Sequence, residues 1–260
     1  MSEILTQQAV ALSAVALPGI PLVQPGDHLT ELILQALARA DIRLEDGDAL
    51  VITSKIVSKA EGRYVDLATV QPGEEALRIA AEAQKDPRIV ELVLQESARI
   101  SRLGHGVLVT QHRLGFVSAN SGIDQSNIEG GDQRVLLLPL DPDASAARLR
   151  AELQAATGAD VGIVISDSHG RPFRIGNVGV AIGVAGMPAA LDLRGREDLF
   201  GRKLRVSVQA YADMVASAAC LLTGEADEGR PVVLLRGLNF PKQDGRASDL
   251  IRAVEQDLYR

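Results

Sequence analysis

Apolar residues along the chain follow two spacings, and the order in which these spacings occur predicts the order of strands and helices. Short apolar runs indicate strands, whereas apolar positions that recur every three or four residues indicate helices. In the first half, strands are predicted over 9–23 and 49–53, and helices over 28–42, 74–84 and 87–100. The residues after Thr53 are polar, and their simplest interpretation is a solvated loop.

The second half of the chain is richer in strands and glycine. Strands are predicted over 106–124, with a hairpin at His112-Arg113, and over 134–140, 161–168, 178–187 and 230–237. Two helices are predicted. One lies within 141–160 and is closed by Gly158, and the other follows a short strand within 204–225. The glycines of "GNVGVAIG" lie inside an apparent strand, which indicates close packing of that strand against a neighbour.

This order of elements predicts a mixed α/β protein. Residues 104–207 are predicted to form a strand- and glycine-rich lobe, inserted into a larger α/β lobe made of 1–103 and 208–260. Hydrophobic residues make up 46% of the 260 residues, which is enough for a substantial core.

Composition argues against several classes of function. Aromatic residues are only 3% of the chain, Trp is absent and the net charge is −7, so we expect no nucleic-acid surface. No run of 18 apolar residues is present, so we expect no membrane span. The N-terminus has no basic region and Gln7 and Gln8 interrupt it, so we expect no signal peptide.

The single cysteine, Cys220, excludes an internal disulfide and a cysteine-rich metal site. One reduced thiol fits a cytoplasmic location. Because Cys220 lies in an apolar helical stretch, we expect a buried structural thiol rather than a catalytic one.

Four polar clusters follow apolar segments, and polar residues just past strand ends are typical of ligand sites in α/β proteins. The clusters are "TSKIVSKAEG" with Ser54, Lys55 and Lys59; "SANSGIDQSNIEGGD" with Asp124 and Asn127; "SDSHGRPFR" with Asp167, Ser168, His169, Arg171 and Arg174; and "TGEADEGRP" with Gly224, Glu225, Asp227 and Glu228. Each cluster taken alone also fits an ordinary turn. In the third cluster, Gly170 and Pro172 are expected to end the strand.

Taken together, the clusters point to phosphate chemistry. Lys55, Lys59 and Arg171 supply cations suited to phosphate oxygens. Asp124, Asp167 and Glu225 supply oxygens suited to hard divalent cations. No Walker A, dinucleotide-fingerprint or histidine metal motif is present. From its residues alone, the sequence predicts a metal-dependent, phosphate-handling α/β enzyme, with the roles of His169, Arg171 and Arg174 open.

The same segments resemble one known family. The stretches "LPGIPLVQPGD", "ITSKIVSKAEGR", "SANSGIDQSN", "SDSHGRPFRIGNVGVAIGVAGM", "DLRGREDLFGRKL" and "GEADEGRPVVLLRG" are similar, in this order, to motifs of the coenzyme F420-0:gamma-glutamyl ligases. The resemblance runs from about residue 15 to 238. It implies a two-lobed mixed α/β fold with mixed and antiparallel sheets, and an intertwined homodimer.

The resemblance also implies an activity. Members of this family add L-glutamate to the deazaflavin precursor coenzyme F420-0, build a gamma-linked oligoglutamate tail and convert GTP to GDP and phosphate. An acyl phosphate is the expected intermediate, because a carboxylate is a poor acyl donor until it is activated. The implied cofactors are two divalent ions, Mg²⁺ or Mn²⁺, and K⁺ as an activator.

Site residues follow from the resemblance by motif. Those implied to contact GTP are Leu17, Pro18, Gly19, Ile20, Ser54, Lys55, Lys59, Asn127, Gly224 and Glu225. Those implied to hold metal are Asp124, Asp167, Ser168 and Glu225, and Asp124, Asp167 and Lys59 are the expected catalytic residues. Ser168 stands where the family often has Thr, and Glu225 where it often has Gln, which leaves the metal preference open.

Two other functions fit the residues. A metal-dependent nucleotide phosphohydrolase would release GDP without glutamate or a deazaflavin. A non-catalytic guanine-nucleotide-binding protein would bind GTP tightly without turnover, and it would leave the three carboxylates unexplained.

Overall fold

The computed structural model describes residues 9–257. Residues 1–8, on which the expected absence of a signal peptide partly rests, lie outside this range. The strands are β1 (Ser13–Ala16), β2 (Ala49–Thr53), β3 (Tyr64–Asp66), β4 (Ser97–Gly104), β5 (Val107–His112), β6 (Val117–Ala119), β7 (Arg134–Leu136), β8 (Gly162–Arg171), β9 (Arg174–Ala185), β10 (Leu191–Asp192), β11 (Val208–Gln209) and β12 (Val232–Arg236). The α-helices are α1 (Leu29–Arg39), α2 (Ser54–Ala60), α3 (Glu74–Ala83), α4 (Pro87–Glu96), α5 (Pro142–Thr157) and α6 (Tyr211–Thr223).

A five-stranded mixed sheet in the order β1-β12-β2-β8-β9 organises the fold. Only β2 and β8 pair in parallel, and their register sets Thr53 opposite Ser166. The other neighbours in this sheet pair antiparallel. The predicted mixed α/β class is therefore confirmed.

Both faces of this sheet are covered by helices, so its central strands are apolar on both sides. Leu50 and Ile52 of β2 face a core shared with α1 and α5, whereas Val51 faces a core shared with α6. A separate core forms between α3, α4 and β5. Within residues 9–257, no helix is long and apolar enough to cross a membrane.

The residues after Thr53 form helix α2 rather than the expected solvated loop. Ile56 and Val57 are buried, and so are the polar side chains of Ser54 and Lys59. The segment has too few apolar residues to show a helical stripe in the sequence. Its helix depends instead on tertiary contacts that bury polar groups as well as apolar ones.

Helix α4 begins at Pro87 as predicted, but it ends at Glu96 rather than continuing to residue 100. Strand β4 follows at once and pairs antiparallel with β5, with two bulges in the register. The pairing with β5 satisfies backbone groups in an extended conformation, and this tertiary gain overrides the helical spacing of the apolar residues.

Strand β8 does not end at Ser168 as the sequence indicates. It runs to Arg171 and turns directly into β9, with Gly170 paired opposite Asn177. Asp167 and Ser168 therefore lie inside the strand, as predicted, and His169, Gly170 and Arg171 belong to it rather than to a turn. The ladder between the ten residues of β8 and the twelve of β9 stabilises this hairpin, which offsets the tendency of Gly170 and Pro172 to end the strand.

The five-stranded sheet contains strands from both predicted lobes, the inserted one of residues 104–207 and the larger one of 1–103 and 208–260. Strands β8 and β9 lie in the predicted inserted segment, yet β8 pairs directly with β2 of the other segment. The division into two lobes stays a prediction, and the structure adds that one sheet crosses it.

Close packing explains the glycines of β9, as the sequence predicts. A Cβ at Gly179 would lie 2.6 Å from the Ala216 carbonyl oxygen and 2.6 Å from the Cys220 sulfur. A Cβ at Gly183 would overlap the carbonyl of Pro142 at the start of α5. Both glycines therefore let helices approach the sheet more closely than any side chain permits.

We expect Gly183→Ala to lower the free energy of unfolding by about 1–3 kcal/mol, because the added methyl group meets backbone atoms that have little room to move. Urea denaturation followed by circular dichroism measures the loss. Gly170→Ala in β8 is the matched control, since its Cβ would find its nearest atom, Asn177 Oδ1, at 3.8 Å. Equal stability of the two variants would contradict the packing argument.

Candidate active site

A cavity of about 560 Å³, here called the main cavity, lies at the carboxyl end of β2. Residues from all four polar clusters line it. The predicted site residues among them are Ile20, Ser54, Lys55, Lys59, Asp124, Asn127, Asp167, Ser168, Gly224 and Glu225. The parallel pairing of β2 with β8 carries Ser54 to the side of Asp167, and the Ser54 Oγ donates to Asp167 Oδ1 at 3.3 Å.

Helix α2 forms the cationic wall of the main cavity. The Lys59 ammonium is 2.7 Å from the backbone carbonyl oxygen of Asn127, and the Lys55 ammonium is 3.1 Å from that of Ser126. Burial, together with the neighbouring Lys55, lowers the pKa of Lys59, and the nearby Asp124 opposes this shift. Two ammonium groups so close together favour an anionic ligand that neutralises both.

A tight turn delivers Asp124 to the opposite wall. Asn120, Ser121 and Gly122 have left-handed backbone angles, and a Cβ on Gly122 would lie 2.7 Å from the Leu138 side chain. Asp124 then exchanges two backbone hydrogen bonds of 2.9 Å with Leu136, which anchors the segment. The turn therefore needs glycine at 122 and places the Asp124 carboxylate in the main cavity.

Asp124 is held in an electrostatically unfavourable place. Burial raises its pKa to about 6; Lys55 opposes the shift, whereas the charge of Asp167 adds to it. The Lys55 ammonium is 3.5 Å from Asp124 Oδ2, and the two side chains are 26% and 30% exposed. Lys59 also opposes the shift, but burial beside a second carboxylate still disfavours the charged form of Asp124, and a bound cation would relieve this.

The turn after α6 closes the main cavity. Helix α6 ends at Thr223, and Gly224 follows as its C-cap, with a backbone φ of 71°. The Ser168 hydroxyl donates to Glu225 Oε1 at 2.6 Å, and the Asn127 side-chain amide donates to the Ala226 carbonyl at 2.7 Å. The acidic turn is therefore part of the site and not merely solvated.

The donor set fits hard divalent cations bound together with phosphates. Asp124 lies beside Asp167, and Ser168 lies beside Glu225, so oxygens are the donors in both places. Within 9–257, no three His, Cys, Asp or Glu side chains form a complete metal cage. Mg²⁺ commonly takes one or two carboxylates and completes its shell with water and substrate phosphates, which matches these pairs.

Some predicted site residues lie away from the main cavity. The Leu17 side chain is buried in the core, and its backbone N–H donates to Val232. Pro18 and Gly19 do not line the cavity, whereas Ile20 does. Arg171 and Arg174 flank the exposed turn of the β8–β9 hairpin, because β8 runs on past Ser168 and carries them away from the cavity.

The structure adds cavity residues that sequence reasoning missed. Asn177 of β9 and Arg230 before β12 line the main cavity, and so does Cys220. Cys220 is partly buried rather than fully buried as expected, and this partial burial raises the pKa of its thiol. Asn177 and Arg230 both lie inside stretches that resemble motifs of the family, and those stretches were the available signal for them.

The fold and the site together define a class: a mixed α/β protein whose cavity joins lysine ammonium groups to carboxylates that suit hard cations. A family model described as F420-0:Gamma-glutamyl ligase matches residues 19–237. That match covers most of the chain, and the chain belongs to the F420-0:gamma-glutamyl ligase family.

Curated relatives with the name coenzyme F420:L-glutamate ligase are similar over nearly the full length. The protein of Methanothermobacter thermautotrophicus is 46% identical over 253 residues, which are 96% of this chain and 100% of the relative. That of Methanocaldococcus jannaschii is 44% identical over 93% of this chain and 94% of its own. That of Halobacterium salinarum is 44% identical over 96% of each.

We expect Asp124→Asn to stabilise the metal-free protein at pH 8. The pKa of Asp124 is raised from 3.8 to about 6, so the folded state binds this proton more tightly and loses stability as pH rises through that interval. After discounting for partial exposure, the gain in free energy of unfolding is about 1–2 kcal/mol at pH 8, and it shrinks toward zero near pH 4.

Urea titrations at both pH values in the presence of EDTA measure this gain. Asp132→Asn, at an exposed position of the neighbouring loop, is the matched control and leaves stability unchanged. A gain of the same size at pH 4 and pH 8 would show that Asp124 is not the titrating group.

Proposed function

We propose that this protein is a GTP-dependent ligase that adds L-glutamate to coenzyme F420-0 and releases GDP and phosphate. The observation that carries the proposal is the convergence of Lys55, Lys59, Asp124, Asp167 and Glu225 on one cavity. Family membership supports the ligation, since the relatives are named for coenzyme F420 and L-glutamate.

The cationic wall supports the proposed use of a nucleoside triphosphate. The Lys59 ammonium contacts the carbonyl oxygen of Asn127, a neutral acceptor, and the Lys55 ammonium lies near both the carbonyl oxygen of Ser126 and the carboxylate of Asp124. The oxygens of a triphosphate would give both ammonium groups negatively charged acceptors, which the two carbonyl oxygens do not supply. Ser54 and Ile20 line the same cavity and complete the proposed nucleotide site.

The proposed chemistry has two steps. A carboxylate oxygen of coenzyme F420-0 attacks the γ-phosphorus of GTP, the bond from that phosphorus to the β–γ bridging oxygen breaks, and GDP leaves with its electron pair. The amine of glutamate then attacks the acyl carbon, an amide bond forms, and phosphate leaves as the amine loses its proton. Lys55 and Lys59 stabilise the negative charge that develops on the phosphoryl oxygens.

Asp124 and Asp167 would hold one divalent cation, and Ser168 with Glu225 would hold a second. When bound, Mg²⁺ or Mn²⁺ neutralises charge on the transferring phosphoryl group. Because Glu225 brings a carboxylate to the second pair, the site carries more negative charge than an amide there would give, which favours firm cation binding. Activation by K⁺ is part of the proposal as well.

A glutamylation assay with mass detection tests the activity. Protein incubated with GTP, Mg²⁺ or Mn²⁺, L-glutamate and coenzyme F420-0 should give stepwise mass gains of one glutamyl residue, with GDP formed in step. Asp167→Asn should lower kcat/KM by at least about 100-fold with the fold intact, because it removes charge from the cation site. Asp132→Asn should leave the rate unchanged.

Two outcomes would overturn the proposal. GDP release that does not depend on glutamate or coenzyme F420-0 would indicate a phosphohydrolase. GTP binding without either product would indicate a guanine-nucleotide-binding protein without catalysis.

We also propose that the chain forms a homodimer. Large apolar side chains are exposed in two segments, one around the β8–β9 turn and one between β10 and β11. They are Phe173, Ile175, Leu199, Phe200 and Val206, each at least 82% exposed. Burying such side chains against a second copy of the chain would remove this apolar surface from water.

Phe173→Asp combined with Phe200→Asp should convert a dimer into a monomer, since each change places a charge where apolar surface would be buried. Light scattering coupled to size-exclusion chromatography measures the mass. Leu77→Asp on the exposed side of α3 is the matched control and should keep the dimer. A wild-type monomer, or a variant that stays dimeric, would contradict the assignment.

A further inference from the structure

His169 is a buried side chain next to the main cavity, and the proposed chemistry does not use it. Its Nε2 atom lies 3.0 Å from Asp167 Oδ2, and its side chain is 9% exposed. The other carboxylate oxygen, Oδ1, accepts from the Ser54 hydroxyl. Each carboxylate oxygen of Asp167 is therefore held by a hydrogen bond to a neighbouring side chain.

The direction of this hydrogen bond follows from elementary chemistry. An ionised carboxylate only accepts hydrogen bonds, so Nε2 must carry the hydrogen that it donates to Asp167. A donor on one lone pair of the carboxylate leaves the remaining lone pairs free toward the cavity. The bond thereby selects one rotamer of Asp167 out of the several that an aspartate can adopt.

The His169 ring is itself held in place by aromatic contacts. Phe116 packs against it with ring centroids 4.9 Å apart, and Phe116 in turn stacks flat on His112 at 5.1 Å. His112 is fixed because its Nδ1 accepts from the Leu114 backbone N–H at 3.0 Å. The β5–β6 turn therefore clamps the ring that orients Asp167.

We infer that His169 is a positioning residue: its Nε2–H holds the Asp167 carboxylate in the orientation that binds the divalent cation. This inference rests on the proposed function and deepens it. Hydrogen-bonded partners of metal-binding carboxylates typically contribute 10–100-fold to metal affinity. A histidine that only fills space would contribute through its volume and not through its N–H.

Substitutions separate the two roles. His169→Phe keeps a ring against Phe116 and removes the donor, and a small cavity of about 140 Å³ beside His169 and Asp213 leaves room for the larger ring. His169→Met also lacks a donor and fills the space with a flexible chain. His169→Gln restores an N–H close to the position of Nε2.

The experiment is a titration of Mn²⁺ into each protein saturated with GDP, with free Mn²⁺ followed by its electron paramagnetic resonance signal. Relative to wild type, His169→Phe and His169→Met should bind Mn²⁺ about 10–100-fold more weakly. His169→Gln should stay within about threefold, because it keeps the hydrogen bond. His105→Phe, in the exposed turn between β4 and β5, is the matched control and should not change the affinity.

A kinetic readout accompanies the titration. In the glutamylation assay, the Mn²⁺ concentration for half-maximal rate should rise in His169→Phe by the same factor, and saturating Mn²⁺ should restore kcat. A loss of packing alone would lower the stability of the protein without this rescue.

The outcomes distinguish the inference from the proposed function. If Asp167→Asn loses Mn²⁺ binding while both donor-free variants bind like wild type, the positioning role is wrong and the metal site stands. If only one of His169→Phe and His169→Met folds, the Mn²⁺ affinity of that variant decides whether His169 positions Asp167. If wild type takes up no Mn²⁺, or Asp167→Asn binds it unchanged, the metal assignment fails and the inference falls with it.

Discussion

The parallel pairing of β2 with β8 is the constraint on which the site depends. Its register sets Thr53 opposite Ser166, so the first residue of α2 and the next residue of β8 meet at one end of the sheet. Ser54 and Asp167 are 113 positions apart in the chain and are joined there by a hydrogen bond. The remaining parts of the site attach to this junction, since Gly122 packs close to Asp167 and Ser168 reaches Glu225.

Unfavourable electrostatics are built into the same junction. Asp124 faces Asp167, and Lys59 lies beside Lys55, so like charges adjoin on both walls of the main cavity. Each wall is compensated in part by the other through the contact of Lys55 with Asp124. A ligand that carries both phosphates and cations would compensate the charges of the two walls together, as we propose for GTP with its divalent ions.

Sequence patterns indicated most of the predicted polar residues that line the main cavity, because their residue types are chemically distinctive. Lysines after an apolar strand and aspartates in a glycine-rich turn stand out, and motifs in the same order resemble those of the ligase family. Patterns failed where tertiary contacts override local tendency. The polar residues after Thr53 indicated a loop, but they form helix α2 and several of their side chains are buried. The apolar spacing of residues 97–100 indicated a helix, but these residues form part of β4 because they pair with β5.

The sequence by itself determined the mixed α/β class, the positions of most strands and helices, the close-packing glycines of β9 and the chemical character of the four clusters. These follow from local spacing and side-chain chemistry. Only the tertiary structure decided that β8 continues past Ser168 to Arg171, that Arg171 and Arg174 lie away from the main cavity, and that His169 bonds to Asp167. Those facts depend on how far the β8–β9 ladder extends, and the free energy of a ladder comes from partners distant in the chain.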